Sequence, residues 1–202
     1  MVEPISRVEE QKLIVRAKRR EPEALRRLVH LHKERLFAFV WRVVRNHHDS
    51  EEVCQDAFLK AFASLDTFRP EFRFSTWLFT IAYRLCLNAL RRKRAFAGDV
   101  DFSILPDGGE DVDESAAHSE EARRVQRLVW SAVDRLSPPQ RATVLLFYKQ
   151  EQSCQEIAQI LELPVATVKS HLHRARARLK ELLEPALADQ NDRTRILHEL
   201  AG

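Results

Sequence analysis

The chain has 202 residues, 45% of them hydrophobic, so it is long enough for one sizeable globular domain or two small ones. Its 33 basic and 30 acidic residues leave a formal net charge of +3, so any basic binding surface must come from segregation of charge along the chain. Three widely spaced cysteines without a C-x-x-C pair argue against a disulfide framework and a zinc site, and no apolar run is long enough to cross a bilayer.

The first segment, MVEPISRVEEQKLIVRAKRR, is charged throughout and lacks the apolar block of a secretory signal. With cysteines that suit a reducing compartment, this pattern predicts a cytoplasmic protein with no direct membrane insertion. Four glycines and long stretches of apolar spacing near 3.6 residues predict an all-α fold.

The middle of the chain, GDVDFSILPDGGEDVDESAAHSEE, is rich in glycine and acidic residues and contains no Lys or Arg. This composition predicts a flexible acidic linker at residues 97–119. It separates two small helical domains, at residues 8–96 and 120–184, and a C-terminal tail follows at residues 185–202.

In the first domain two apolar stripes recur at helical spacing. They comprise Leu25, Leu28, Val29, His32, Leu36, Phe39, Val40 and Val43, and then Val53, Ala57, Phe58, Ala61, Phe62 and Leu65. Asp49 or Ser50 is predicted to cap the second of these helices. A third helix is predicted to open after Ser75 and to end at the basic residues 91–94.

The second domain ends in a predicted helix-turn-helix. A helix through residues 125–136 is followed by Ser137 as a cap and Pro138 at the first helical position, and the next helix carries Val144, Leu145 and Tyr148. The stretches SCQEIAQIL and ATVKSHLHRARARLKELL then follow each other closely, with Glu162, Leu163 and Pro164 in the turn between them.

The last of these helices is basic on one side. At about 100° per residue, one face is apolar, formed by Val168, Leu172, Ala175 and Leu179. The opposite side carries hydrogen-bonding residues flanked by Lys and Arg, a shape that suits a DNA major groove. A solvated surface of an ordinary bundle helix is the alternative interpretation.

The segment from residue 66 to 94 has an unusual third helical face, which holds Trp77, Thr80, Arg84, Asn88 and Arg91. A tryptophan beside arginines suits stacking on an unpaired base while its phosphates are held. The preceding loop alternates phenylalanines with arginines and suits a pocket for a flipped base, although these rings also fit a hydrophobic core.

Three separated segments resemble one family, the extracytoplasmic-function (ECF) sigma factors of bacterial RNA polymerase. DSEEVCQDAFLKAF is similar to the family's polymerase-binding motif, FRFSTWLFTIAYRLCLNALRRKR to its −10 promoter-reading segment, and the stretch from LSPPQ to RARARL to its −35-binding domain. The resemblance implies an alternative sigma factor that binds core RNA polymerase through the large-subunit clamp helices and flap. It further implies promoter DNA as a ligand and an anti-sigma factor as a partner.

The resemblance, together with the third face described above, assigns roles to individual residues. The predicted polymerase-binding residues are Asp49, Glu52, Gln55, Asp56 and Phe58. The predicted −10 residues are Phe68, Arg69, Trp77, Arg84, Asn88 and Arg91. The predicted −35 residues are Lys169, Ser170, His171, His173, Arg174 and Arg176.

The sequence departs from the family pattern at a few positions. Arg84 stands where many relatives have Asn, and His171 replaces a common Arg. Glu162 and Ala166 replace two frequent glycines near the turn, and a positive φ at Glu162 would cost about 1 kcal/mol. The acidic linker fits two interpretations, a mimic of a phosphate backbone in a polymerase channel and a soluble tether.

Two other functions fit the same residues. One is a dimeric helix-turn-helix regulator that binds palindromic duplex DNA, and the other is a polymerase-binding adaptor without promoter selectivity. The adjacent pairs His47–His48 and His171–His173 point to different helical faces, so no metal is predicted. No nucleophile–base grouping or phosphate loop stands out, so the sequence predicts no enzyme activity and no cofactor.

Overall fold

The computed structural model describes residues 5–97 and 120–184, which belong to two compact units divided near residue 100. These two stretches contain eight α-helices and no strand, which confirms the all-α prediction for them. The predicted linker, apart from Ala97, and the predicted tail lie outside the described residues. No helix in the described stretches combines the length and the apolar character needed to span a bilayer.

The described part of the first unit, residues 5–97, forms four α-helices. They are α1 (Arg7–Lys18), α2 (Pro22–Val44), α3 (His47–Ala63) and α4 (Phe74–Ala97), with a 3-10 turn at Leu65–Thr67. A capping box starts α1, since the Ser6 N–H donates to the Glu9 carboxylate at 2.9 Å and the Glu9 N–H donates to the Ser6 hydroxyl at 3.2 Å. Pro22 starts α2, where its missing N–H has no cost.

The helix start predicted at Asp49 or Ser50 is wrong. Arg45 takes a left-handed conformation with φ 59° and ends α2, so Asn46 is the first extended residue after it. The Asn46 side chain then accepts a hydrogen bond from the Asp49 N–H at 2.9 Å and caps α3, which begins at His47. The third predicted helix also starts earlier than expected, at Phe74.

The core of the first unit is formed where α2, α3 and α4 pack against one another. The predicted stripes supply most of it, since Leu28, Leu36 and Val40 are fully buried and the Phe39 ring lies 5.1 Å from the Phe79 ring. Each such side chain stabilises the fold by roughly 1.5–3 kcal/mol. Leu25, Val29 and Phe62, at the edges of the stripes, are half-buried.

The described residues of the second unit, 120–184, also form four α-helices. They are α5 (Glu120–Asp134), α6 (Pro138–Val144), α7 (Cys154–Leu161) and α8 (Val165–Leu183). Ser137 caps α6 and Pro138 is its first residue, as predicted. The predicted continuous helix through Tyr148 instead changes at Val144 into a π-helical turn, Leu145–Lys149.

A buried arginine fastens α6 to the end of α5. Arg141 is 7% exposed and donates to the Asp134 carbonyl at 2.6 Å and to the Leu136 carbonyl at 3.1 Å. These carbonyls belong to the last turn of α5 and the residues just beyond it, where no further helical N–H follows. The guanidinium therefore supplies the donors that the end of the helix lacks.

The turn between α7 and α8 is short and contains a non-glycine residue in the left-handed region. Glu162 has φ 56° and ψ 44°, and the Leu163 N–H donates back to the Ala158 carbonyl at 3.0 Å. Two residues later, Val165 begins α8. The predicted helix-turn-helix is thus confirmed, together with the positive φ expected of Glu162 if it occupied a glycine position.

Candidate nucleic-acid and protein interfaces

The apolar face of α8 is buried as predicted, because Val168, Leu172, Ala175 and Leu179 are each at most 4% exposed. Its other side faces solvent. Of the predicted −35 residues, five are exposed and His171 is half-buried; the exposed ones are Lys169, Ser170, His173, Arg174 and Arg176. The buried face fixes the rotation of the helix, so the structure brings all six together on one polar surface, which we call the α8 face.

One arginine of the α8 face is held by an aromatic pair that the sequence did not indicate. The Arg176 Nε donates to the Tyr148 hydroxyl at 2.8 Å, and the guanidinium carbon lies 5.5 Å from the Phe147 ring centre and 5.7 Å from the Tyr148 ring centre. This contact spans 28 residues, so no local pattern reports it. It restricts the guanidinium while leaving other N–H groups available to a phosphate or a base edge.

His171 lies at the edge of the α8 face with one nitrogen turned inward. Its Nδ1 is buried and has no hydrogen-bond partner among the described residues. Burial, and then the positive charge of Arg174, lower the pKa of His171 below its ordinary value of 6.5. The imidazole is therefore mainly neutral at pH 7 and does not supply the permanent positive charge that an arginine would.

The loop before α4 does not present all its rings to solvent. Phe68 is 4% exposed and Phe74 is fully buried, and their ring centres lie 5.8 Å apart. The Trp77 ring packs on both, at 5.4 Å and 5.8 Å, and stays half-buried. Phe72 is 44% exposed and is therefore the ring of this loop that a base can reach.

Phe68 was predicted to sit in the loop that captures a flipped base, and its ring is packed inside this loop instead of being exposed on it. Packing the Phe68 ring against two other aromatic side chains stabilises the fold more than leaving the ring exposed to solvent would. Among the other predicted −10 residues, four are exposed: Arg69, Arg84, Asn88 and Arg91.

The exposed part of α4 forms a polar surface. The Arg91 Nη2 donates to Asn88 Oδ1 at 2.8 Å, one turn apart on the helix. Arg84 lies one turn further towards the half-buried Trp77. We call Trp77, Arg84, Asn88 and Arg91 the α4 surface; it offers cations and an amide on the side of the helix that the core leaves open.

The predicted polymerase-binding residues lie on α3. Glu52 and Gln55 are exposed and Asp49 and Asp56 are half-buried, whereas Phe58 is 8% exposed and lies in the core. The next residue, Leu59, is instead 66% exposed. The ring that the resemblance assigned to this surface is thus turned inward, and we define the α3 surface by Asp49, Glu52, Gln55, Asp56 and Leu59.

The basic end of α4 approaches the α3 surface. Arg92 lies 3.9 Å from the Glu52 carboxylate and Lys93 lies 3.6 Å from the Asp49 carboxylate. His48, Asp49 and Glu52 also bring ligand atoms within 4.8 Å of one another. Because these side chains are exposed or half-buried and the two acids have cationic neighbours, the group is better described as a mixed-charge protein surface than as a metal centre.

Burial keeps the Cys54 and Cys86 thiols protonated. Cys54, Cys86 and Cys154 form no disulfide. Burial, and to a smaller extent Glu51, raise the pKa of Cys54 to about 12, and burial also raises the pKa of Cys86. Protonated thiols are poor nucleophiles and poor metal ligands, so neither residue supports a catalytic or metal site.

Comparison with known proteins identifies the family of the chain. Residues 28–96 match the Sigma-70 region 2 family, and residues 126–179 match the Sigma-70 region 4 family. The chain is 30% identical over 187 residues to the ECF RNA polymerase sigma-E factor of Escherichia coli K12, an alignment that covers 88% of this chain and 96% of the relative. It is 28% identical over 183 residues to the ECF sigma factor SigW of Bacillus subtilis strain 168, covering 86% and 96%.

Two solved structures have a similar fold. One is the sigma factor RpoE in complex with the anti-sigma factor NepR from Bartonella quintana, with a TM-score of 0.66, 26% identity and coverage of 79% of this chain and 96% of the other. The second is CnrH in complex with the cytosolic domain of CnrY, with a TM-score of 0.64, 25% identity and coverage of 87% and 97%. Because the similarity to the E. coli protein extends over nearly all of both sequences and both sigma regions match in order, the chain belongs to the ECF sigma factors of bacterial RNA polymerase.

Proposed function

We propose that this alternative sigma factor acts in the cytoplasm and joins core RNA polymerase to promoter DNA through three surfaces. The α3 surface binds the clamp helices of the large subunit, and the α4 surface with its preceding loop reads the −10 element. Both belong to a region 2 domain at residues 8–96. The α8 face reads the −35 element and belongs to a region 4 domain at residues 120–184. The protein contributes binding energy, and bond formation is left to the polymerase, so the chain is not itself an enzyme.

The α8 face is the observation that carries the proposal. It combines arginine, histidine and serine side chains, which can donate to base edges, with exposed lysine and arginine, which can neutralise phosphates. The face lies directly after the tight turn of a helix-turn-helix, the position of a recognition helix. A solvated bundle helix requires no such concentration of cations opposite a fully buried apolar face.

The α3 surface is suited to a protein partner. Its carboxylates lie before Leu59 on the same side of α3, and Leu59 has no core role and is 66% exposed. An apolar residue inside a polar rim is the arrangement of many protein interfaces, where the apolar residue supplies most of the binding energy. Leu59 is therefore proposed as the apolar anchor for polymerase, in place of the buried Phe58.

At the −10 element we propose that Phe72, with the edge of Trp77, receives a base turned out of the duplex. Stacking one base on an aromatic ring contributes about 1–3 kcal/mol, comparable with the few kcal/mol that flipping costs. Arg84 and Asn88 on the α4 surface then hold the backbone and edge of the strand. Opening is driven by this binding energy, because the open strand binds better than the duplex.

An anti-sigma factor is the proposed inhibitor. The RpoE–NepR complex, to whose sigma chain this protein is similar, supports a partner of this class. By covering the α3 surface, such a partner would prevent assembly with polymerase without altering the DNA-binding residues.

Run-off transcription with purified core polymerase and a randomised promoter library tests the proposal. We expect a defined start site with preferred bases at both elements, and Arg174→Ala should reduce discrimination at one −35 position by about 1–3 kcal/mol. Arg135→Ala, which removes an exposed charge just after the end of α5, should leave the preferences unchanged.

Other results would replace the proposal. An equal loss on every sequence would make Arg174 a phosphate contact. Association with polymerase without sequence preference would indicate an adaptor, and palindromic binding without polymerase would indicate a dimeric regulator.

A further inference from the structure

Helix α1 lies before the region 2 match, which begins at residue 28, yet its polar side chains converge on the loop before α4. The Arg7 Nη2 donates to the Glu71 carbonyl at 3.0 Å and to the Pro70 carbonyl at 3.4 Å. The Gln11 Nε2 also donates to the Pro70 carbonyl at 3.4 Å. These contacts span 59 to 64 residues of sequence, so they are tertiary contacts and not features of a local turn.

The other end of α1 contacts the same loop. The Lys18 Nζ donates to the Phe68 carbonyl at 3.2 Å. Three α1 side chains thus reach the carbonyl of residue 68, just before the turn in which the Phe72 N–H donates to the Arg69 carbonyl at 3.2 Å, and the carbonyls of residues 70 and 71 within that turn. Because the segment is not helical, donors from outside it satisfy carbonyls that a helix would satisfy internally.

Helix α1 is itself anchored to the rest of the unit. Ile14 is 4% exposed and Ala17 is fully buried. Glu10 approaches His32 of α2 at 3.1 Å, and the His32 ring lies 5.2 Å from the ring of Phe74, the first residue of α4. The loop is therefore connected through α1 to the same core that holds α4.

We propose that α1 is a strap that fixes the backbone of residues 68–73, and that Arg7, Gln11 and Lys18 are positioning residues for base capture by Phe72. This inference rests on the proposed role of Phe72 at the −10 element. Phe72 projects from a short exposed loop, and a loop held at three carbonyls keeps the ring in place before DNA arrives. Binding then requires less ordering of the protein.

The test uses the full chain assembled with core polymerase and compares Arg7→Ala with Arg26→Ala. Arg26 is an exposed arginine of the same unit that pairs with Glu23 at 3.3 Å. We expect Arg7→Ala to slow open-complex formation on a duplex promoter by about fivefold to tenfold, roughly 1 to 1.4 kcal/mol. Initiation from a promoter with a pre-melted −10 region should be affected much less, and polymerase affinity should not change. Arg26→Ala should match the wild type in every assay.

A second variant separates positioning from attraction to DNA. Arg7→Gln keeps a donor for the loop carbonyls but loses the charge, so it should recover most of the opening rate if Arg7 acts through the loop. If Arg7→Gln instead behaves like Arg7→Ala and both reduce the salt dependence of binding, Arg7 contacts phosphate and the strap is refuted.

The variant Phe72→Ala distinguishes failure of the strap from failure of base capture. If α1 acts through Phe72, adding Arg7→Ala to Phe72→Ala should slow opening little further, whereas additive losses would contradict the inference. If Phe72→Ala alone slows opening and Arg7→Ala does not, base capture stands and the strap is wrong. If Phe72→Ala has no effect, base capture by this ring is wrong, and the strap proposed for it fails with it.

Discussion

The turn that orients α8 contains a backbone conformation that its residue type does not favour. Glu162 has φ 56° and ψ 44°, a region that costs a non-glycine residue about 1–2 kcal/mol. Glycine avoids this cost but loses more backbone freedom on folding, by roughly 0.5–1 kcal/mol. We therefore expect Glu162→Gly to be more stable than Glu162→Ala by about 0.5–1 kcal/mol.

Alanine is the proper reference because both substitutions remove the Glu162 carboxylate and the same part of its side chain beyond Cβ. The difference between the two variants then isolates the backbone effect. For a unit of this size, it corresponds to about 3–6 °C in unfolding temperature.

The fluorescence of Trp130 can report on the second unit, because the other two tryptophans, Trp41 and Trp77, belong to the first unit. With those two replaced by Phe, thermal unfolding of the full chain followed by tryptophan fluorescence reports on the second unit. The matched control is Glu181, an exposed residue within α8, where glycine should be less stable than alanine by about 1 kcal/mol. Equal stability of the two Glu162 variants, or the same order at both positions, would refute the assignment of a left-handed turn.

Two further predictions concern the α8 face. Tyr148→Phe keeps the ring but removes the hydroxyl that accepts a hydrogen bond from Arg176 at 2.8 Å. The affinity for a −35 duplex, measured by fluorescence anisotropy, should therefore fall about twofold to fivefold. The same substitution should have no effect on affinity in an Arg176→Ala background. His171 has a folded-state pKa below its ordinary value of 6.5, so the unfolded chain binds more protons and the second unit should lose stability as pH falls below about 6.5. His171→Gln should remove that part of the pH dependence in urea unfolding measured at pH 7.5 and 5.5, and an unchanged pH dependence would contradict the burial of its Nδ1.

The parts of the fold that follow a helical period could be predicted from sequence. The rotation of α8 is fixed by four apolar residues at intervals of three and four, so the exposure of the opposite side followed directly. The sequence did not single out one N-cap residue for α3, because Asn46, Asp49 and Ser50 are all residue types that cap helices. The left-handed Arg45 decides among them, and no local pattern reports that conformation.

Contacts between distant segments could not be predicted. Arg176 meets Tyr148 across 28 residues, and Arg7 meets Glu71 across 64. Both arginines are exposed on helices, where a charged residue is ordinarily read as solvated. Only the packing of separate elements brings a hydroxyl or a carbonyl within reach of the guanidinium, and composition does not encode it.

Two aromatic residues that were assigned to binding surfaces are buried in the structure, and the same physical reason explains both. Phe58 and Phe68 were assigned to binding surfaces by resemblance, and each is buried while an apolar neighbour, Leu59 or Phe72, is exposed. A sequence motif records which residue types occur together, but burial decides which of them can touch a partner. If Phe68→Ala reduced promoter opening, the result would have two explanations, because this substitution both disrupts the packing of the aromatic rings and removes a possible contact with a base. Truncation of the exposed Phe72 leaves that packing intact, so its effect on opening is the one that bears on base capture.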